Sequence, residues 1–132
     1  MSTPNESECP FCAIDPDRIV VSDLEAFAVL DAYPVTDGHI VVIPRRHVPT
    51  VFQLPPDEQA NIWIFVSRVR NLLATKLNVH NFNVGVNDGI LAGQTVPHAH
   101  IHIIPRRDGD VPDPRGGVRW VIPQKAAYWI QR

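Results

Sequence analysis

Three of the six histidines in this 132-residue chain stand at alternate positions in one short run, Pro97-His98-Ala99-His100-Ile101-His102-Ile103-Ile104-Pro105. Side chains on an extended strand alternate between its two faces. The spacing therefore predicts a strand with His98, His100 and His102 on one face and Ala99, Ile101 and Ile103 turned to a core. Pro97 is expected to start this strand and Pro105 to end it, because proline gives the ladder no donor. Alternate residues lie about 6.8 Å apart on a strand, and the outer pair about 13.6 Å. Metal–imidazole bonds are only about 2.0–2.1 Å, so the three rings should not converge on one ion and are expected to hold separate jobs.

Ahead of this run, Asn87-Asp88-Gly89-Ile90-Leu91-Ala92-Gly93-Gln94-Thr95 reads as a loop. Its glycines permit positive φ, and its main-chain N–H groups and the Thr95 hydroxyl are placed to receive phosphate oxygens. Imidazoles that follow an anion-accepting loop point to phosphoryl chemistry.

A chain of this length can bury about 68% of its unfolded surface as one domain and is short for two, so residues 1–132 are read as a single unit. The formal charge of −2 and pI near 6.3 give no basic footprint for general nucleic-acid binding, although Arg45-Arg46 and Arg106-Arg107 concentrate charge locally. No apolar run approaches the roughly 20 residues of a membrane span. Met1 to Glu8 lacks the features of a signal peptide, so the expected compartment is the cytoplasm, without a membrane partner. In a reducing compartment, Cys9-Pro10-Phe11-Cys12 suggests metal or redox use rather than a disulfide. It can be half of a zinc site, a redox pair, or two small buried residues.

Residues 1–8 are expected to be loose. Ile19–Ser22 and Ala26–Asp31 read as a hairpin, and His39–Ile43 as a third strand after the turn-rich segment 32–38. Leu54-Pro55-Pro56-Asp57-Glu58 opens a helix running to about Leu77. Its apolar stripe is Ile62, Phe65, Val66, Val69, Leu72, Leu73 and Leu77, with Arg68, Asn71 and Lys76 on a solvated face. His80 reads as a capping or surface residue, and Asn81–Val86 as a fourth strand. Residues 108–132 form a tail: a surface connection over 108–117, a short strand over Val118–Ile122, and an apolar end, Ala126–Ile130, that should dock on the domain or a partner. The echo of Ile43-Pro44-Arg45-Arg46 in Ile104-Pro105-Arg106-Arg107 suggests two neighbouring strands that end alike.

The segment His98-Ala99-His100-Ile101-His102-Ile103-Ile104 resembles the signature of the histidine triad (HIT) family, His-φ-His-φ-His-φ-φ. The preceding Gly93-Gln94-Thr95-Val96 is similar to that family's phosphate-binding lead-in, and Asp31 and Gly38-His39-Ile40-Val41-Val42-Ile43-Pro44 extend the likeness upstream. It covers roughly residues 9–107. The resemblance implies an α+β fold, an antiparallel sheet of about five strands with one long helix, paired as a homodimer. It implies that Asp31 holds ribose hydroxyls, a residue whose plain reading is a turn-capping acid. Phe11, Ile14 and Leu30 become candidates for the base pocket, with core packing as their alternative role. The zinc-bearing members further imply that Cys9, Cys12, His47 and His98 form one closed structural site, the alternative being a solvated His47 and two buried cysteines.

On the same resemblance, neutral His100 is the expected nucleophile toward the α-phosphorus of a nucleotide, forming a nucleotidyl-histidine that water hydrolyses. A carbonyl hydrogen bond would fix its tautomer. His102 and His39 would assist, with Asn87, Gln94 and Thr95 holding phosphate oxygens and Mg²⁺ accompanying a polyphosphate substrate. The expected reaction is asymmetric hydrolysis of a dinucleoside polyphosphate such as diadenosine tetraphosphate. Nucleoside phosphoramidate hydrolysis, phosphorolysis and noncatalytic nucleotide sensing are the alternatives. Arg119 and Trp120 in the tail are candidates for substrate selection.

Overall fold

The computed structural model describes residues 8–130, so all of the expected loose start except Glu8, and the last two residues of the tail, lie outside it. Five strands form one antiparallel sheet: β1 (Ile19–Ser22), β2 (Ala26–Leu30), β3 (Ile40–Pro44), β4 (Asn81–Gly85) and β5 (Ile101–Arg106), in the order β1-β2-β3-β5-β4. The long helix α1 (Pro56–Leu77) covers one face. Against the other face, Phe11, Ile14 and Ile19 pack on Phe27, Val29, Val41 and Ile43. Because β2 and β3 are covered on both sides, their sequences are continuous apolar runs rather than alternating ones.

Proline at the first position of α1, Asp57 and Glu58 in its first turn and Lys76 in its last suit the helix dipole. Asn78, in the left-handed conformation at φ 53°, ends it. Ile62, Phe65, Val66, Val69 and Leu73 are buried as the periodicity requires, and Leu77 packs at the edge of that core. Leu72 is a correction: it is 46% exposed. It stands about 100° round the helix from Leu73, past the margin of the stripe, and Ala74 is buried instead. Gly38, at φ 88°, lets the chain enter β3 beneath the helix end, where a Cβ would meet the Leu77 Cδ1 at 2.5 Å.

The histidine strand starts later than its sequence pattern predicts. Residues 97–100 are irregular, and the Ala99 N–H donates to the Val48 carbonyl (2.7 Å) instead of joining the ladder. Pro97 therefore does not start a strand, and Pro105 does not end one. Pro105 sits inside β5 opposite Phe82 of β4. It is tolerated because β3 pairs with β5 only from Ile101 to Ile103, so by residue 105 that side of β5 is a local edge. The Thr36 hydroxyl donates to the Pro105 carbonyl there (2.8 Å). The two Ile-Pro-Arg-Arg corners do end neighbouring strands, but the strands are antiparallel, so the corners lie at opposite ends.

The expected tail strand over Val118–Ile122 is a 3-10 helix, Gly117–Val121, followed by one helical turn, Pro123–Ala126. Gly116 and Gly117 at φ 95° and 45° turn the chain in, and Pro123 suits a helix start. The tail closes on itself: Trp120 Nε1 donates to the Arg115 carbonyl (2.8 Å), and Ala126 is fully buried. Among the described residues, no helix is long and apolar enough to cross a membrane.

Candidate active site

Two groups of side chains flank His100. The first joins the amino-terminal turn, the corner after β3 and the start of the histidine run. Cys9 Sγ lies 3.4 Å and Cys12 Sγ 3.5 Å from His98 Nδ1, His47 Nδ1 lies 3.1 Å from Cys12 Sγ, and the two Nδ1 atoms are 3.2 Å apart. For a tetrahedral ion bonded to nitrogen at about 2.0–2.1 Å and sulfur at about 2.3 Å, ligand–ligand edges are about 3.3–3.8 Å, close to this set. His98 Nε2 donates to the Pro44 carbonyl (2.8 Å), which leaves the Nδ1 lone pair facing the cysteines. His98 is fully buried, so it does not share an open face with His100 and His102. The four residues named from the sequence thus converge, and the chemistry of the donor set fits a structural zinc.

The second group is Asp31, just after β2, His39, just before β3, and His102, on β5. His39 Nε2 lies 2.9 Å from His102 Nδ1, and Asp31 Oδ2 lies 3.5 Å from the former and 3.8 Å from the latter. On distance alone this trio can also hold an ion. Its tautomers argue otherwise. The Val35 N–H donates to His39 Nδ1 (3.1 Å), so neutral His39 carries its proton on Nε2 and donates it to His102 Nδ1. His102 is then protonated on Nε2. Burial is the main cause lowering both imidazoles. It outweighs Asp31 at His39, while at His102 burial and the neighbouring His100 and His39 bring the pKa down to about 4. Both rings are neutral near pH 7. The expected Mg²⁺ finds no dedicated place here, since that ion prefers an oxygen shell and two of these three donors are imidazoles.

Between the groups, His100 Nδ1 donates to the carbonyl of His98 (2.9 Å). Its Nε2 therefore keeps a lone pair, the condition for a nucleophile. The ring stands edge-on to Phe11 (centroids 5.0 Å) and to His102 (5.2 Å).

The other sequence candidates divide. Asp31 is both a turn former and a member of the site: Oδ1 accepts the Tyr33 N–H (2.8 Å) while Oδ2 faces the histidines. Phe11 and Ile14 lie on the apolar face that His102 shares, where Val41 is its partner in register. Leu30 stands opposite Ile40, a residue of the helix-side core, so alternation turns it away from Phe11 and Ile14, whereas Val29 packs with them. The Gln94 amide braces the loop: Oε1 accepts the Gly89 N–H (2.9 Å) and Nε2 donates to the Pro49 and Val96 carbonyls (2.8 and 2.9 Å). Thr95 is exposed, and Asn87 is exposed at the wall of a cleft.

That cleft, about 710 Å³, runs from His39 and His102 across β4 to the tail and includes Val86, Asn87, Val118 and Trp120 in its lining. Trp120 is the one of the two tail candidates that lines it. Arg119 instead donates to the Lys125 and Ala126 carbonyls (2.7 and 3.2 Å) and holds the tail together. Sequence reasoning missed the brace beneath the cleft, where Arg106 donates to Asp110 (both 2.8 Å) and Asn83 (2.6 Å), holding the Asp110 carboxyl well below its usual range. It also missed the main-chain groups of Val35 and Pro44, and it expected a carbonyl on His100 without marking His98 as its source.

A family model described as HIT domain matches residues 14–109. The nitrilase and fragile histidine triad fusion protein of Caenorhabditis elegans is 44% identical over 100 residues, covering 76% of this chain and 23% of its own length. The asymmetrical bis(5'-nucleosyl)-tetraphosphatase of Schizosaccharomyces pombe is 40% identical over 83 residues, 63% of this chain and 46% of its own. The chain thus spans less than half the length of either relative. A Zn-bound histidine triad family protein from Mycobacterium smegmatis superposes with a TM-score of 0.73 at 30% identity, covering 97% of this chain and 100% of that one. The match takes in the whole sheet, the long helix and all three alternate histidines, and on these grounds the chain belongs to the HIT domain family.

Proposed function

We propose that the protein hydrolyses dinucleoside polyphosphates asymmetrically, with diadenosine tetraphosphate as a representative substrate. The observation that carries this reading is the His98 carbonyl on His100 Nδ1, which leaves Nε2 as an electron-pair donor beside the neutral imidazoles of His102 and His39. His100 Nε2 attacks the α-phosphorus, a phosphorus–nitrogen bond forms, and the phosphorus–oxygen bond to the remaining nucleotide breaks. Water then attacks the same phosphorus, releasing a mononucleotide and restoring the imidazole.

The His102 Nε2–H, supported through His39, donates to an oxygen of the phosphoryl group as its charge changes. Asp31 Oδ2 is available to ribose hydroxyls, and the face carrying Phe11 and Ile14 to the base. The leaving nucleotide has room in the cleft past Asn87 toward Trp120. The names of relatives such as the fission-yeast tetraphosphatase support the substrate class.

Cys9, Cys12, His47 and His98 would hold zinc. Four protein ligands leave no open position, so the ion would supply structure and no Lewis-acid step. Strand β4 is a sheet edge with one unpaired row of main-chain groups, which suits the expected homodimer; sedimentation tests it.

The hydrolase reading is tested by mixing the protein with labelled diadenosine tetraphosphate, quenching, and locating the label. Label on His100 is expected, and His100→Asn should lose both label and turnover while still binding nucleotide. An adduct on another residue, or turnover that survives His100→Asn, overturns it.

A further inference from the structure

We propose that Phe11 is a positioning residue for His100, and that the cysteine–histidine cluster acts on the reaction through it. This rests on the hydrolase reading above. The chain curls between Cys9 and Cys12, with the Ala13 N–H donating to the Cys9 carbonyl (3.2 Å), and Phe11 is carried on that turn. Its ring meets His98 at 5.9 Å and His100 at 5.0 Å, edge-on in both cases (81° and 71°).

A single hydrogen bond at Nδ1 fixes one atom of the His100 ring but not its rotation. Two neighbouring rings supply the rest: Phe11, edge-on at 71°, and His102, edge-on at 66°. Two links therefore run from the ligand set to the nucleophile, one through the carbonyl of the ligand His98 and one through the residue seated between the two cysteines. The cluster thus does more than tie down the amino-terminal segment. When the turn is intact, Phe11 keeps His100 Nε2 pointed at the phosphorus; when it opens, the ring pivots and loses its line of attack.

Phe11→Leu separates this role from a wall of the base pocket, since leucine keeps an apolar wall but removes the flanking ring. With one zinc per chain retained, kcat should fall about 10- to 100-fold, the cost of misaligning a reacting atom by an ångström or so, while KM stays within about twofold. Phe11→Tyr, which returns a ring, should recover kcat to within about threefold. Cys12→Ser should lower kcat similarly, and the double variant should lose little more than either single one, because both act through one contact.

Independently of turnover, ¹⁵N spectra of the His100 ring should show one fixed environment in the wild type and an averaged one in Phe11→Leu and in zinc-stripped protein. A raised KM with unchanged kcat, multiplying losses in the double variant, or an unaltered ring spectrum in Phe11→Leu overturns the proposal. If the wild type turns over no dinucleotide, the hydrolase reading fails while the ring spectrum still decides this one.

Discussion

The two clusters beside His100 each hold two histidines at close spacing but differ in what the main chain does to their imidazoles. In each, the donor atoms of three or four residues lie within 4.8 Å of one another. In the cysteine cluster, the Pro44 carbonyl accepts from His98 Nε2 and so turns the Nδ1 lone pair toward the sulfurs. In the Asp31 cluster, the Val35 N–H donates to His39 Nδ1 and so places a proton on the nitrogen that faces His102. A carbonyl behind the ring makes a ligand; an N–H behind the ring makes a proton donor. Ligand counting does not separate the two clusters, whereas tautomers do.

The contrast is broken most severely at the cysteine side. His98→Ala removes a fully buried ligand, and Cys9→Ser a nearly buried one. Each should release the zinc and cost several kcal/mol of stability, read by metal analysis and urea unfolding. His102→Ala should instead keep one zinc per chain and a near-wild-type urea midpoint while lowering kcat about 10²- to 10³-fold, because it deletes a donor to the phosphoryl group.

Acid should act on the second cluster with a defined sign. An unfolded histidine titrates near 6.5, whereas folded His102 titrates near 4. Between those values the unfolded chain binds a proton that the folded chain refuses, so stability falls as pH is lowered from about 6.5 to about 4 and the loss stops growing below that. His102 and His39 act on this limb in the same direction. Urea midpoints measured across that range, compared with His102→Asn, should show the limb reduced in the variant.

The smallest change is the sharpest test. Val35→Pro deletes the donor to His39 Nδ1 at a cost of about 1 kcal/mol. His39 can then carry its proton on Nδ1 and turn the Nε2 lone pair toward Asp31 and His102. Zinc bound at saturation should rise above one ion per chain. Unchanged stoichiometry would mean that tautomer does not separate the clusters.

Local pattern made much of this legible. Short apolar runs between turn formers located β1, β2 and β3, period-two alternation located β4 and β5, and the 3.6-residue stripe located the helix. They did not locate the start of β5, because Pro97 to His100 look extended while the Ala99 N–H goes to the Val48 carbonyl instead of a neighbouring strand. Leu72 was misplaced for a related reason: an apolar side chain at an element's margin looks the same in sequence as one at its centre.

The four members of the cysteine–histidine cluster were legible through family resemblance, not through spacing alone. Gln94 looked like a phosphate ligand, and its bonds to Gly89, Pro49 and Val96 appear only once the loop closes. The tail was the least legible part, since its 3-10 helix depends on contacts among Arg115, Arg119, Trp120 and Ala126.

The group that sets which nitrogen of His100 keeps its lone pair is a peptide oxygen. Every codon at position 98 encodes one, so no missense change deletes it outright, although a poor side chain there can shift it. This control is inherited as chain path rather than as residue identity. Removing it cleanly calls for chemical synthesis, with a thioamide in place of that single peptide oxygen.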